Sequence, residues 1–129
     1  MTFVKSAALA AVIAFVCTGV ALADIKDYQF QLVQNEVKKG DATVTVRLIN
    51  TKTGKPVPDA VIMAKRIDMA PEGMETMTSS LEQLPSTEPG VYRFKTRLTM
   101  EGGWRLSLGA KVQGETGTVE SKLTLKAIK

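Results

Sequence analysis

The chain has 129 residues, of which 44% are hydrophobic and 5% aromatic, and its formal net charge is +4. It contains no histidine and one cysteine, so the usual pairs of a nucleophile with a histidine base cannot be assembled. The 17 basic and 13 acidic residues are mixed along the chain without a basic run. This distribution does not indicate nucleic-acid binding.

The first 23 residues have the organisation of a secretory signal peptide. Lys5 supplies a positive charge, residues 6–22 are almost all apolar or small, and Ala21-Leu22-Ala23 matches the A-x-A pattern of a signal-peptidase site. We therefore predict export to the periplasm with cleavage after Ala23. A spanning helix needs about 20 apolar residues, which is slightly longer than this run. Retention of the segment as a membrane anchor is the alternative.

Cleavage would leave residues 24–129 as one domain of common size. Cys17 would be removed, and the bulky Val16 before it does not fit a lipoprotein signal. The mature protein would then have no thiol and no disulfide, which excludes thiolate metal sites and thiol catalysis. No glycine-rich phosphate loop or spaced carboxylate pair is present in the sequence, and we do not predict an enzyme.

From Tyr28 onward, apolar and polar residues alternate with period two, which is typical of half-buried antiparallel strands. The first predicted strand runs from Tyr28 to near Asn35, and the second covers residues 43–48. The third covers residues 60–67, because the prolines of the preceding loop cannot donate to a ladder.

The third predicted strand contains the apolar run Val61-Ile62-Met63, which breaks the alternation. A central strand covered on both faces and a β-bulge both account for it, and the pattern leaves open whether Ile62 or Met63 points inward. The stretch Asp68–Met77 is predicted as a loop. Leu81 and Leu84 then mark a weak fourth element.

The fifth predicted strand has the clearest pattern. One face is predicted to be core and consists of Tyr92, Phe94, Thr96, Leu98 and Met100. The other face is predicted to be solvated and carries Arg93, Lys95 and Arg97. Glu101-Gly102-Gly103 is predicted as a tight hairpin leading into a sixth strand at 104–112.

A second predicted hairpin at residues 114–117 leads to the last strand, which carries Val119, Leu123 and Leu125. About seven short strands with turns roughly every ten residues are typical of an immunoglobulin-like sandwich. The predicted fold is therefore an all-β, immunoglobulin-like antiparallel β-sandwich.

Four of the six methionines lie in or beside two predicted turns. Thioether sulfur is a soft, neutral donor that suits Cu(I), whereas Cu(II) and Zn generally require imidazole or thiolate. An indole ring nearby could cap the ion with its π-face. The predicted metal site consists of Met69, Met74, Met77, Met100 and Trp104. The alternative is that Met100 and Trp104 end two core rows, which the loop methionines cover.

Two further charged groups have a functional and a structural interpretation. Asp68, Glu72 and Glu75 could bind a hard cation, but their spacing lacks a calcium-loop pattern and favours a solvated loop. The basic stripe on the fifth predicted strand could bind an acidic partner, but the pattern favours a solvated strand face.

Four segments, taken in order, resemble the YtkA-like or FixH-like domain: residues 54–62 (GKPVPDAVI), 68–74 (DMAPEGM), 89–92 (PGVY) and 100–106 (MEGGWRL). The resemblance implies a small β-sandwich outside the cytoplasmic membrane, found near copper efflux systems and copper-dependent oxidase assembly. Two features of this chain differ from those of the proteins it resembles. FixH-type relatives keep a membrane anchor, and many copper-handling periplasmic proteins use histidine, which is missing here.

We therefore predict a periplasmic copper-handling protein that binds Cu(I) through methionine thioethers for storage, efflux or delivery to a partner. The alternative is a metal-free periplasmic protein-interaction module, accessory to an efflux or oxidase-assembly system. The expected partner in either case is another envelope protein. Membrane association is expected only if the signal segment is retained.

Overall fold

The computed structural model describes residues 25–129, so the predicted signal peptide and its cleavage site lie outside the described residues. Within this range there are nine strands: β1 (Tyr28–Leu32), β2 (Glu36–Lys38), β3 (Gly40–Asn50), β4 (Val61–Met69), β5 (Met74–Ser79), β6 (Leu81–Leu84), β7 (Val91–Leu98), β8 (Gly102–Lys111) and β9 (Val119–Ile128). Single 3₁₀ turns cover Ile25–Asp27 and Ala70–Glu72. No helix in residues 25–129 is long and apolar enough to cross a membrane.

The strands form two sheets. One has the order β1-β3-β7-β6, and the other has the order β2-β9-β8-β4-β5. Neighbouring strands are antiparallel except β2, which runs parallel to β9. Immunoglobulin-type sandwiches have the sheets ABED and GFC, with C′ beside C in variable-type domains, and this order is reproduced here. The predicted immunoglobulin-like sandwich is confirmed, with nine strands rather than about seven.

The two additional strands carry no alternating pattern. β2 has only three residues. β5 begins inside the stretch predicted as a loop, and its pairing with β4 changes register so that Asp68 faces Thr78 while Met69 faces Met74. Residues 75–77 therefore bulge out of the ladder. A strand with three unpaired residues has no period-two signal to detect.

The core lies between the sheets and is built from the inward rows. β7 contributes Tyr92, Phe94, Thr96 and Leu98, all buried as predicted, while its cationic residues on the opposite face are exposed. Trp104, Leu106 and Leu108 of β8 meet them from the other sheet. Burying one large apolar side chain contributes about 1.5–3 kcal/mol relative to exposing it. These rows therefore supply much of the favourable free energy of folding.

The prediction that Met100 continues the inward row is wrong. β7 ends at Leu98, and the Met100 side chain is 39% exposed in the connection to β8. The hairpin predicted at Glu101-Gly102-Gly103 is also wrong, because β7 and β8 belong to different sheets. After Leu98 the chain crosses from one sheet to the other, so the alternation of the strand cannot extend through residues 99–101.

β4 shows which explanation of the apolar run holds. Its pairing with β8 shifts between Ile62 and Ala64, which leaves Met63 as a bulge. Ile62 packs partly against the core, whereas Met63 is 60% exposed. The run is therefore a bulge that changes parity rather than a strand covered on both faces.

Tyr92 joins two of the segments that carry the family resemblance. Its hydroxyl donates to the carbonyl of Val57 at 2.8 Å and accepts from the N–H of Ala60 at 3.0 Å. Close by, Gly90 leaves no room for a side chain, because a Cβ there would lie 2.5 Å from Cβ of Pro56. The loop before β4 is thus fixed on the start of β7. Burial raises the pKa of the Tyr92 hydroxyl above its ordinary value.

Candidate functional site

The two methionine-bearing segments meet at one end of the sandwich. The turn Ala70–Glu72 packs directly on the first residues of β8. A Cβ at Gly103 would lie 2.8 Å from Cβ of Pro71, and one at Gly102 would lie 3.1 Å from Oε2 of Glu72. Gly102 also has a φ of +127°, which favours glycine. The two glycines therefore allow the turn to approach β8 more closely than any other residue would.

A charge-assisted hydrogen bond fixes this approach. The backbone N–H of Gly103 donates to Oε2 of Glu72 at 2.7 Å. Hydrogen bonds from a backbone N–H to a carboxylate are among the stronger ones in proteins. The bond holds the segment that leads to Met74 against the segment that follows Met100.

The buried carboxylate of Asp68 also holds this end of the sandwich together. Asp68 is fully buried, and its Oδ1 accepts from the N–H of Ala70 at 2.9 Å. Its Oδ2 accepts from Nε of Arg66 at 2.9 Å and from Nη2 of Arg105 at 3.2 Å. Arg66 also donates from Nη2 to the carbonyl of Glu75 at 2.8 Å. One carboxylate thus connects β4, β8 and the turn, and through Arg66 it reaches β5.

The electrostatics of Asp68 favour its charged form. Burial raises the pKa of this carboxyl, but the hydrogen bonds from Arg66, Ala70 and Arg105 together lower it below its ordinary value of 3.8. The sequence-based expectation that Asp68 belongs to a solvated loop is wrong, because β4 continues through Met69. Arg66 lies two residues before Asp68 on the same face of β4, and the pairing of β4 with β8 places Arg105 opposite Asp68.

The five predicted metal ligands differ in how far solvent can reach them. Met69 and Trp104 are fully buried, Met74 is half-buried against the core, and Met77 and Met100 are 37% and 39% exposed. Met69 is paired with Met74 across the ladder of β4 and β5. Met77 lies in the bulged part of β5. The side chains that solvent can reach are therefore those of Met74, Met77 and Met100.

Trp104 is connected to the exposed methionine through its ring nitrogen. The indole N–H of Trp104 donates to the carbonyl of Met100 at 3.0 Å. A buried indole N–H generally has a partner, and here that partner is the segment that carries a candidate ligand. The Trp104 ring is fully buried, so in this conformation it belongs to the core and does not face solvent.

Thioethers are the soft donors that this end of the sandwich offers. Within residues 25–129 there is no group of three or more His, Cys, Asp or Glu side chains placed to hold a metal ion. Glu72 accepts a backbone hydrogen bond, and Asp68 is bound to two arginines. The donor side chains that this end of the sandwich leaves without a hydrogen-bond or ion-pair role are therefore the thioethers.

The profile of the YtkA-like family matches residues 22–109. No curated protein matches the chain. Among solved structures, the Lin-41 filamin domain is 16% identical, with a TM-score of 0.46, and the alignment covers 82% of this chain and 94% of that chain. The ZirS C-terminal domain is 13% identical, with a TM-score of 0.48 and coverage of 98% and 88%. Both structural likenesses are weak, whereas the family match spans well over half of the sequence. The chain therefore belongs to the YtkA-like family.

Proposed function

We propose that this protein handles copper in the periplasm by binding Cu(I) through the thioethers of Met74, Met77 and Met100. One observation carries the proposal. The hydrogen bond between Glu72 and Gly103 brings the two methionine-bearing segments together at one end of the sandwich. Two stretches whose bonded residues lie 31 positions apart in the sequence are thereby held next to each other.

The donor chemistry fits a monovalent soft ion. Cu(I) is bound well by neutral, polarizable sulfur and does not need imidazole, which this chain lacks. Thioethers also stay available in an oxidising compartment, where thiols would be lost to disulfides. The proposed ligand set is smaller than the one predicted from sequence, because Met69 and Trp104 are enclosed in the core.

An accessible site formed by three methionines is suited to exchange. Two of the three side chains are more than one-third exposed, so a bound ion would remain open to a second protein. This arrangement favours delivery to an envelope partner or to an efflux system over long-term storage. Storage would favour a site closed to competing ligands.

The test is a titration of the purified protein with Cu(I) under anaerobic conditions against a competing chelator. We expect one ion per chain, with a change in Trp104 fluorescence because its indole N–H is bonded to the carbonyl of Met100. The variant Met74→Ala/Met77→Ala/Met100→Ala should lose this binding. Met63→Ala is the matched control, since Met63 is 60% exposed on β4, outside the site. Equal affinity in the triple variant and the wild type would reject the proposal.

A further inference from the structure

The outer face of the four-stranded sheet has an excess of positive charge. Arg93, Lys95 and Arg97 alternate along β7 and point away from the core, and Arg47 lies on the same face of β3. Alternate residues of a strand are separated by about 6.8 Å, so the β7 cations form a row about 14 Å long. All four side chains are exposed.

These cations have no partner within the part of the chain that the structure describes. The ion pairs in residues 25–129 are formed by other side chains, namely Lys39, Lys52, Arg66 and Arg105 with their carboxylates. Two carboxylates do lie on the face, Asp41 opposite Arg97 and Glu82 opposite Lys95. Neither is within 4.0 Å of those cations. Four cations against two carboxylates leave a net charge of +2.

The positive excess is centred on Arg93 and Arg47. The cross-strand neighbours of Arg93 are Thr45 and Leu84, and those of Arg47 are Gln31 and Val91, so neither arginine faces a carboxylate. Uncharged polar side chains such as Gln29 on β1 and Thr43 on β3 lie on the same face, together with the partly buried Leu84 and Val91. The face therefore has its unopposed positive charge at its centre, beside two partly buried apolar side chains.

We infer that this face binds an acidic segment of a partner protein, and that it does so independently of any metal. Carboxylates at alternate positions of an extended segment repeat every 6.8 Å or so, which matches the row on β7. A membrane is a poorer match. The aromatic residues of these four strands all point into the core, and interfacial binding relies on apolar or aromatic insertion together with clusters of about 4–8 unopposed cations.

The expected interaction is modest and sensitive to salt. Exposed ion pairs are individually weak, and added salt screens them over a Debye length of about 10 Å at 0.1 M. Charge complementarity of this kind contributes more to association rate and to partner choice than to affinity. Binding should therefore weaken steeply between low and physiological ionic strength.

The probe for the test is a synthetic peptide of alternating Glu and Thr, about eight residues long so that it can extend along the β7 row at about 3.4 Å per residue. Binding to the wild-type protein is measured at low salt and compared with a Gln/Thr peptide of equal length. The variant Arg93→Glu/Lys95→Glu/Arg97→Glu should bind the acidic peptide at least about tenfold more weakly, a factor equivalent to about 1.4 kcal/mol.

The matched control is Lys111→Glu/Lys122→Glu/Lys126→Glu, which changes the net charge equally but on β8 and β9, at exposed positions of the other sheet. This control should keep most of the affinity. Equal losses in the two variants would overturn the inference, because they would indicate an effect of net charge alone. No preference for the Glu/Thr peptide over the Gln/Thr peptide would overturn it as well.

Two further measurements keep the test decisive. Binding of the wild type to phosphatidylglycerol vesicles without binding to the acidic peptide would replace the partner protein by a membrane and reject the inference. Circular dichroism checks that each variant is folded. If charge reversal unfolds the protein, then Arg93→Gln/Lys95→Gln/Arg97→Gln takes its place, since it removes the cations without adding repulsion, and the same loss is expected.

Discussion

Glu72 and Gly103 lie 31 positions apart in the sequence, and a hydrogen bond of 2.7 Å joins the carboxylate of one to the backbone N–H of the other. Pro71 packs against the same glycine, so closely that a Cβ there would lie 2.8 Å from Cβ of Pro71. The pair explains why the chain has adjacent glycines before its only tryptophan. They accommodate a turn, and the turn leads into Met74, one of the proposed ligands.

Gly103→Ala tests the close approach. The new Cβ would lie 2.8 Å from Cβ of Pro71, so the turn must move, and overpacking of this kind costs about 1–3 kcal/mol. Gly109→Ala on the same strand is the control, because its Cβ would meet Ala64 at an ordinary 3.4 Å. Urea denaturation of both variants measures the difference. Equal stability of the two would show that the turn adapts without cost.

Asp68→Asn tests the buried carboxylate. The substitution removes the charge that two arginines share, and breaking a buried ion pair from one side costs about 3–5 kcal/mol. We expect about 3 kcal/mol, because both guanidinium groups keep some contact with solvent. Glu120→Gln on the exposed face of β9 is the control and should change the free energy of unfolding by less than about 0.5 kcal/mol. A loss for Asp68→Asn as small as that of the control would contradict the role assigned to it.

Asp68 also predicts how stability depends on pH. Its folded pKa lies below the ordinary value of 3.8, so the unfolded state binds more protons between the two values. The contribution of the carboxylate is complete above the unfolded pKa and is lost as the pH falls through the folded pKa. The free energy of unfolding should therefore fall below about pH 4 in the wild type, and less steeply in Asp68→Asn. Parallel acid profiles from denaturation at several pH values would rule this out.

The fold was predictable where one rule governs a whole strand. The alternation in β7 gave the correct inward and outward residues from Tyr92 to Leu98, because that strand pairs regularly on both sides. The prediction failed at Met100, where the chain leaves the sheet. The side-chain period reports the local backbone and says nothing about the sheet to which the next strand belongs.

The site was predictable only in part for a related reason. The sequence shows where the methionines and glycines lie. The thioether chemistry of the methionines pointed to a soft cation. The role of Asp68 was not predictable, because the arginines that neutralise it lie two residues before it and 37 residues after it. Arg66 shares a strand face with Asp68 only because β4 extends beyond residue 67, where the predicted strand ended, and the register between β4 and β8, which brings Arg105 to Asp68, depends on the tertiary structure.

Tyr92→Phe tests the hydrogen bonds that join the loop before β4 to the start of β7. The substitution keeps the ring but leaves the carbonyl of Val57 and the N–H of Ala60 without their partner. Leaving a buried polar group unsatisfied costs about 1–3 kcal/mol, and we expect a loss within that range. Tyr28→Phe is the control, since within residues 25–129 its hydroxyl bonds only to the side chain of Glu115. Equal losses of stability in the two variants would show that these two hydrogen bonds contribute nothing specific.

The last prediction separates core methionine from ligand methionine. Met69 is fully buried, so Met69→Ala should leave a cavity and cost about 2–5 kcal/mol whether or not metal is present. Met100 is 39% exposed, so Met100→Ala should change the stability of the metal-free protein by no more than about 0.5 kcal/mol. The same substitution should weaken Cu(I) binding about tenfold, which corresponds to about 1.4 kcal/mol.

Denaturation without metal and chelator competition with Cu(I) measure the two effects separately. Met74 is half-buried against the core, so Met74→Ala should lower both stability and affinity and is less informative than the other two variants. If Met100→Ala destabilises the metal-free protein as much as Met69→Ala does, its side chain belongs to the core in solution. If Met100→Ala also leaves Cu(I) affinity unchanged, the site loses the one ligand that β8 holds in place through Trp104, and the thioether proposal fails.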